Sequence, residues 1–482
     1  MIILPVQKIW LSERIIVTMR QSKLFIPLII TAVIAAIFLP FLITGFSEIR
    51  QAEVANVSGD YARAAELYAS AARHLPWRGD LWEKAGIASS NQNNYMDAIV
   101  FLERAPELSE QGWLALGYGY YQNGDMQAAQ KAFEKGVSVY PTPSLYAGLA
   151  LIHRHQKNWP AERSALQNQL RSDQSNSYAH YRLGLLLTLL GADQALTELS
   201  LASSLDAEFD PAVQTLRAAL NLSATQPDAS RRMITVGRAL GLVQEWDLSL
   251  SAFEKAVDAD ANNAEGWAWL GEAKQQIGQD GHAELDKALL LNDKSVIVRA
   301  LRGLYWNRQG KYSQSLAEYL LAAEIEPKNP SWQASIGEVQ SRLGDLPSAL
   351  AAYQHATELA PDEPTYWRLL AIFCAENGIC VEEIGLPAAQ KAAKLAPDDV
   401  PTLDALGWSY LSSGRYHTAE QALLDVINRD PNYLPAHLHL AMTYLAQGNR
   451  ASAFNELVHV RDADPDGATG QIAAQLLQQY FP

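Results

Sequence analysis

The sequence predicts an all-α chain of stacked helical hairpins behind one N-terminal transmembrane helix, and three observations carry that expectation. Composition excludes disorder, an uncharged run of 21 residues lies near the N-terminus, and one residue pattern returns at a period close to 34. A chain of 482 residues is too long for one ordinary core. With 48 % apolar and 19 % charged residues it has the means to bury a core that grows in one dimension.

The N-terminal element is read first. Leu24 to Thr44 carries no charge and matches the roughly 20 residues that cross about 30 Å of hydrocarbon as a helix. Pro27 lies in its first turn and Pro40 near its far end, where a missing N–H is tolerated. A cleaved signal peptide is the competing reading, but its apolar region is shorter, and no A-x-A site or lipid-acceptor cysteine follows. Lys8, Arg14, Arg20 and Lys23 precede the run, which predicts a cytoplasmic N-terminus and an array on the periplasmic or other extracytoplasmic side. Met19 opens MRQSK, a short basic leader, so residues 1–18 also read as a start-site artefact.

Charge narrows the partners. The first 23 residues balance to +3, leaving −18 on the remainder of a chain whose net charge is −15. An acidic body without a basic, aromatic-interleaved stripe is not a nucleic-acid binder. Cys374 and Cys380 are too few for a structural zinc framework, and they read either as a strained i, i+6 disulfide or as two separate thiols. Asn56-Val57-Ser58 and Asn221-Leu222-Ser223 fit the glycosylation tripeptide, a pattern too common to decide anything.

The repeat is clearest in Leu403, Leu406, Gly407, Tyr410, Gly414, Tyr416, Ala419, Leu423, Val426 and Pro431. A second copy runs Trp113, Leu116, Gly117, Tyr120, Gly124, Met126, Ala129, Phe133, Gly136 and Pro141. Small residues such as Gly407 and Ala419 allow antiparallel helices to approach, large ones such as Tyr410 and Phe133 fill between hairpins, and proline closes the second helix. On these residues the chain resembles the tetratricopeptide repeat family, in its membrane-anchored bacterial type. The resemblance implies a right-handed superhelical solenoid that works by protein interaction.

Unit starts are read near 45, 79, 110, 143, 177, 230, 264, 296, 330, 364, 400 and 434, about twelve hairpins across residues 45–465. Departures lie between the second and third units, only 31 residues apart, and near 192–229 and 376–390. Residues 466–482 read as a capping helix.

No phosphate-binding loop, nucleophile elbow, H-E-x-x-H or dinucleotide fingerprint occurs, so no enzyme, cofactor, metal or small-molecule substrate is expected. His153/His155 and His437/His439 are spaced i, i+2, about 200° apart on a helix, and read as surface or groove residues. Glu382-Glu383 and Asp398-Asp399 read as solvated loop or helix-entry carboxylates.

In the family resembled, the groove is lined by the first helix of each hairpin. That implies Tyr118 and Tyr121 near the membrane end, and Trp408, Leu411, Met442 and Leu445 at the far end, as apolar partner contacts. Arg308, Arg342 and Arg368 recur once per unit as a basic ladder or as plain solvated charges. The expected function is a membrane-anchored scaffold or assembly factor for proteins or peptides. A permanent structural subunit of a membrane complex is the alternative, and an enzyme with an unrecognised site is third.

Overall fold

Short polar side chains open many of the helices. Asp60, Asn94, Asp125, Asn158, Asp345 and Asn449 each accept a hydrogen bond from the backbone N–H three residues on, satisfying a donor that the helix itself cannot. The turn just before each of these caps needs a left-handed residue. Gly124 supplies it at φ +82° and Gly414 does so before Arg415, whereas Asn93, Lys157 and Gln244 adopt it at the corresponding place without being glycine.

The computed structural model describes residues 9–191 and 194–482, with side chains described from residue 30 onward. Lys8, residues 1–8 and the start-site question lie outside the described residues, as do the side chains of Arg14, Arg20, Lys23 and residues 24–29. Among the described residues there are twenty-six α-helices and no strand.

Two compact units divide the chain, residues 1–221 and residues 222–482. In the first, α1 (Ile9–Val57) leads into α2 (Tyr61–His74), α3 (Asp80–Asn91), α4 (Tyr95–Leu102), α5 (Glu110–Gln122) and α6 (Met126–Val139). Then come α7 (Pro143–His155), α8 (Trp159–Ser172), α9 (Ser177–Leu190), α10 (Ala195–Leu205) and α11 (Asp210–Ala224), the last reaching the division.

The second unit pairs α12 (Ala229–Leu242) with α13 (Trp246–Ala259), α14 (Ala264–Gln276) with α15 (His282–Leu291) and α16 (Val296–Arg308) with α17 (Tyr312–Ile325). It continues with α18 (Pro330–Arg342) and α19 (Leu346–Leu359), α20 (Pro364–Asn377) and α21 (Leu386–Leu395), α22 (Val400–Ser412) and α23 (Tyr416–Arg429), and α24 (Leu434–Ala446) and α25 (Arg450–Ala463). Finally α26 (Ala468–Tyr480) lies on α25, burying Ala473 and Leu477 with Leu438, Leu457 and Val460.

Packing follows one device. A large side chain from the second helix enters a gap left by glycine on the first: Phe133 against Gly117, Phe253 against Gly237, Tyr319 against Gly303, Tyr353 against Gly337 and Leu423 against Gly407. Phe133 also reaches Gly148 of the following hairpin, where an added Cβ would stand 2.4 Å from the ring. The core around Phe133 is thereby shared by two neighbouring hairpins. The hydrophobic cluster of Ala98, Ile99, Leu102, Leu116 and Ala132 spans α4, α5 and α6 in the same way.

Two irregular places have local causes. After α20, Gly378 and Cys380 both take positive φ and residues Val381–Gly385 form a π-turn, which accommodates the extra residues of that unit. Cys374 is buried and Cys380 exposed, and both are free thiols. After α10, a single 3-10 turn, Ala207–Phe209, leads into α11.

Candidate protein-interaction surface

The first helix of each hairpin carries the candidate residues, and the structure gives them different surroundings. On α5, Tyr118 and Tyr121 stand one turn apart and are half-buried. Tyr118 meets the edge of Phe133 at 5.3 Å, and burial, with a smaller contribution from Tyr121, raises its pKa above that of free tyrosine. Tyr121 reaches the next hairpin, its hydroxyl 2.6 Å from Nε2 of His155 on α7. Beside them Arg154 donates to the Tyr178 hydroxyl of α9 at 2.7 Å. These contacts link α5, α7 and α9 through a polar and aromatic strip on their first-helix side.

The arginine ladder is corrected by the structure. Arg308 is held by both oxygens of the buried Glu272 on α14, at 2.7 and 2.9 Å, so its charge is neutralised across neighbouring hairpins. Arg368 pairs with Asp399 at 3.0 Å. Arg342 is exposed and has no ion-pair partner among the described residues. One of the three is therefore a solvated cation, and the other two serve as ties between hairpins.

The far apolar group is partly spent on packing. Trp408 stacks on the His439 ring at 4.4 Å, while Met442 and Leu445 pack against the core that α26 covers. Leu411 is half-buried.

His437 and His439 are also corrected. They are buried, not surface residues, and they point apart: His437 lies 2.7 Å from Glu456 on α25, His439 2.8 Å from Asp404 on α22. His437 further places Nε2 at 3.1 Å from the Pro431 carbonyl, and His180 repeats both contacts with Glu198 and the Gln174 carbonyl. Burial with a carboxylate partner was not legible from i, i+2 spacing, because the partner lies 18 to 35 residues away.

Sequence reasoning also missed a cleft of about 550 Å³ lined by Leu102, Leu116, Trp113, Tyr120, Lys131 and Lys135. It exists because α4 has 8 residues where the other second helices of the first three hairpins have 14. The 31-residue spacing between the second and third units was its signal. Within it Tyr120 hydrogen-bonds Glu103, and burial followed by that contact drives the phenol pKa upward.

Tetratricopeptide-repeat profiles match residues 114–177, 336–400 and 386–479. Human superkiller complex protein 3 is 23 % identical over 292 residues, 54 % of this chain and 18 % of that protein. Its mouse counterpart is 24 % identical over 343 residues, 68 % of this chain and 20 % of that protein. The chain thus spans about a fifth of the length of these curated relatives.

Among solved structures, yeast Tom70 aligns at 14 % identity and TM-score 0.38, over 77 % of this chain and 95 % of that one. The Cut9–Hcn1 assembly of the APC/C aligns at 14 % and 0.39, over 92 % and 98 %. The fold and the profile matches together define a helical-repeat protein, a class whose members are generally non-enzymatic scaffolds. Tetratricopeptide repeats thus recur in this chain over residues 114–177 and 336–479.

Proposed function

We propose that the chain is a membrane-anchored scaffold that holds protein or peptide partners on its extracytoplasmic side. The observation that carries the anchor is the continuity of α1. Ile30–Val57 is long and apolar enough to cross a bilayer, with Ile37, Phe38 and Ile43 more than half exposed. The same helix then buries Ile49, Ala52 and Ala55 against α2. An apolar surface of this kind with no protein covering it is what a lipid-facing helix presents.

The partner surface in this reading is the first-helix face that carries Tyr118, Tyr121 and Arg154, with Arg342, Trp408 and Leu411 as further contacts. Cys380 provides a test of topology, being the exposed thiol. In right-side-out membrane vesicles containing the full chain, a membrane-impermeant maleimide should label Cys380 without detergent. Labelling only after detergent places the array on the other side, and extraction of the chain by alkaline carbonate removes the anchor.

A second reading, a permanent subunit of a membrane complex, is favoured by a different observation. Leu290 is 88 % exposed on α15, and Leu320, Leu321 and Ile325 are exposed on α17, all on second helices. Such a surface suits a lasting apolar interface.

A further inference from the structure

Residues 73–80 read RHLPWRGD: a helix end, a proline stop and a tryptophan between two arginines. Because α2 runs antiparallel to α1 after a three-residue turn, its C-terminal end returns to the level at which α1 leaves its apolar stretch. The contacts fix that level. The His74 ring lies 5.8 Å from that of Phe41, its Nδ1 is 2.7 Å from Glu48, and Leu75 is fully buried over Gly45. The turn that follows, residues 75–79, therefore stands at the level of the apolar side chain of Phe41, which is more than half exposed.

Trp77 is 62 % exposed in this turn, an unusual state for so large a ring unless another phase receives it. Indole rings favour the headgroup layer, where an apolar body and an N–H are both accommodated. Arg73 is exposed one helical turn earlier, with no ion-pair partner among the described residues. Nearby acids are already engaged: Glu48 by Ser70 and His74, and Asp80 by Arg78 through two bonds of 2.8 Å. Arg73 is thus the cation of this turn left without an acidic partner, and a guanidinium in that state complements lipid phosphate.

We propose that the α2–α3 turn is a second membrane contact, with Trp77 seated in the headgroup layer and Arg73 against lipid phosphates. The first hairpin then lies on the bilayer at a fixed angle and cannot swivel about α1. This rests on the reading of α1 as a span.

The test uses the full chain with Cys374→Ala and Cys380→Ser, reconstituted in vesicles of phosphatidylcholine and phosphatidylglycerol. Nitroxide labels are placed by Pro76→Cys, which retains Trp77, by Val57→Cys at the opposite end of the hairpin, and by Ile37→Cys in the span. Power-saturation EPR with an aqueous nickel chelate reads depth. The label at 76 should be several-fold less accessible than that at 57, and Trp77→Ser in the same chain should restore accessibility. Equal accessibility at 76 and 57 with a shielded label at 37 overturns the second contact and leaves the span standing. An open label at 37 overturns the span, and the second contact with it.

Discussion

Phe133 offers a direct measure of how neighbouring hairpins share a core. Its ring is fully buried between Gly117 of its own hairpin and Gly148 of the next. Truncation by Phe133→Ala removes that ring and leaves a cavity, at a cost of about 3–5 kcal/mol. Gly148→Ala acts through the opposite defect: the new methyl would lie 2.4 Å from the ring, which has no free side to move into, costing about 1–3 kcal/mol of overpacking. In the Phe133→Ala background the clash partner is gone, and alanine within α7 gains about 0.5–1 kcal/mol of helix propensity over glycine. The same substitution therefore changes sign, with a coupling of about 1.5–4 kcal/mol. Urea unfolding of the four full-length proteins in detergent, followed by circular dichroism and tryptophan fluorescence, gives the cycle. Additivity within about 0.5 kcal/mol would refute the shared-wedge account.

Three further outcomes are expected. Glu162→Ala removes the buried carboxylate that bonds Arg182, 2 % exposed, at 2.6 and 3.1 Å, and should cost about 1.5–3 kcal/mol by denaturation, whereas a loss under about 0.5 kcal/mol refutes the buried pair. Burial, reinforced by Cys380, pushes the Cys374 thiol up to about 12, so at neutral pH one thiol per chain should react quickly with a maleimide and the other only on unfolding. Burial, then Glu338, pushes Tyr319 up to about 12, and burial, then Asp404, does the same for Tyr433. Unfolded tyrosine loses its proton near pH 10, so the stability linked to these two is complete below about pH 10 and is lost as pH rises to about 12. Tyr319→Phe with Tyr433→Phe should flatten the fall in urea midpoint over that window, and an unchanged slope contradicts it.

The fold class was legible because its signals are local and repeated. Glycine against a large residue 16 positions on, as in Gly117 and Phe133 or Gly407 and Leu423, states both the hairpin and its filling within one period. The candidate contacts were less legible because their fate depends on residues in neighbouring hairpins. Arg308 reads as a free cation until Glu272, 36 residues earlier, is seen beneath it. Trp408 reads as an open anchor until His439 is seen against it. Met442 and Leu445 look like groove residues on α24 alone, yet the core they join includes α26. The 31-residue spacing was visible as an irregularity, but only the shortened α4 shows that it opens a cleft.

Site-specific photocross-linking of the full chain in native membranes tests the scaffold reading most directly. Photoreactive residues replace Tyr121 on the first-helix face and Leu290 on the second-helix face, followed by mass spectrometry of the adducts. The account predicts that position 121 captures a defined extracytoplasmic protein and position 290 does not. Adducts confined to position 290, and made there with integral membrane proteins, would contradict it and leave the chain as a fixed subunit of a membrane complex.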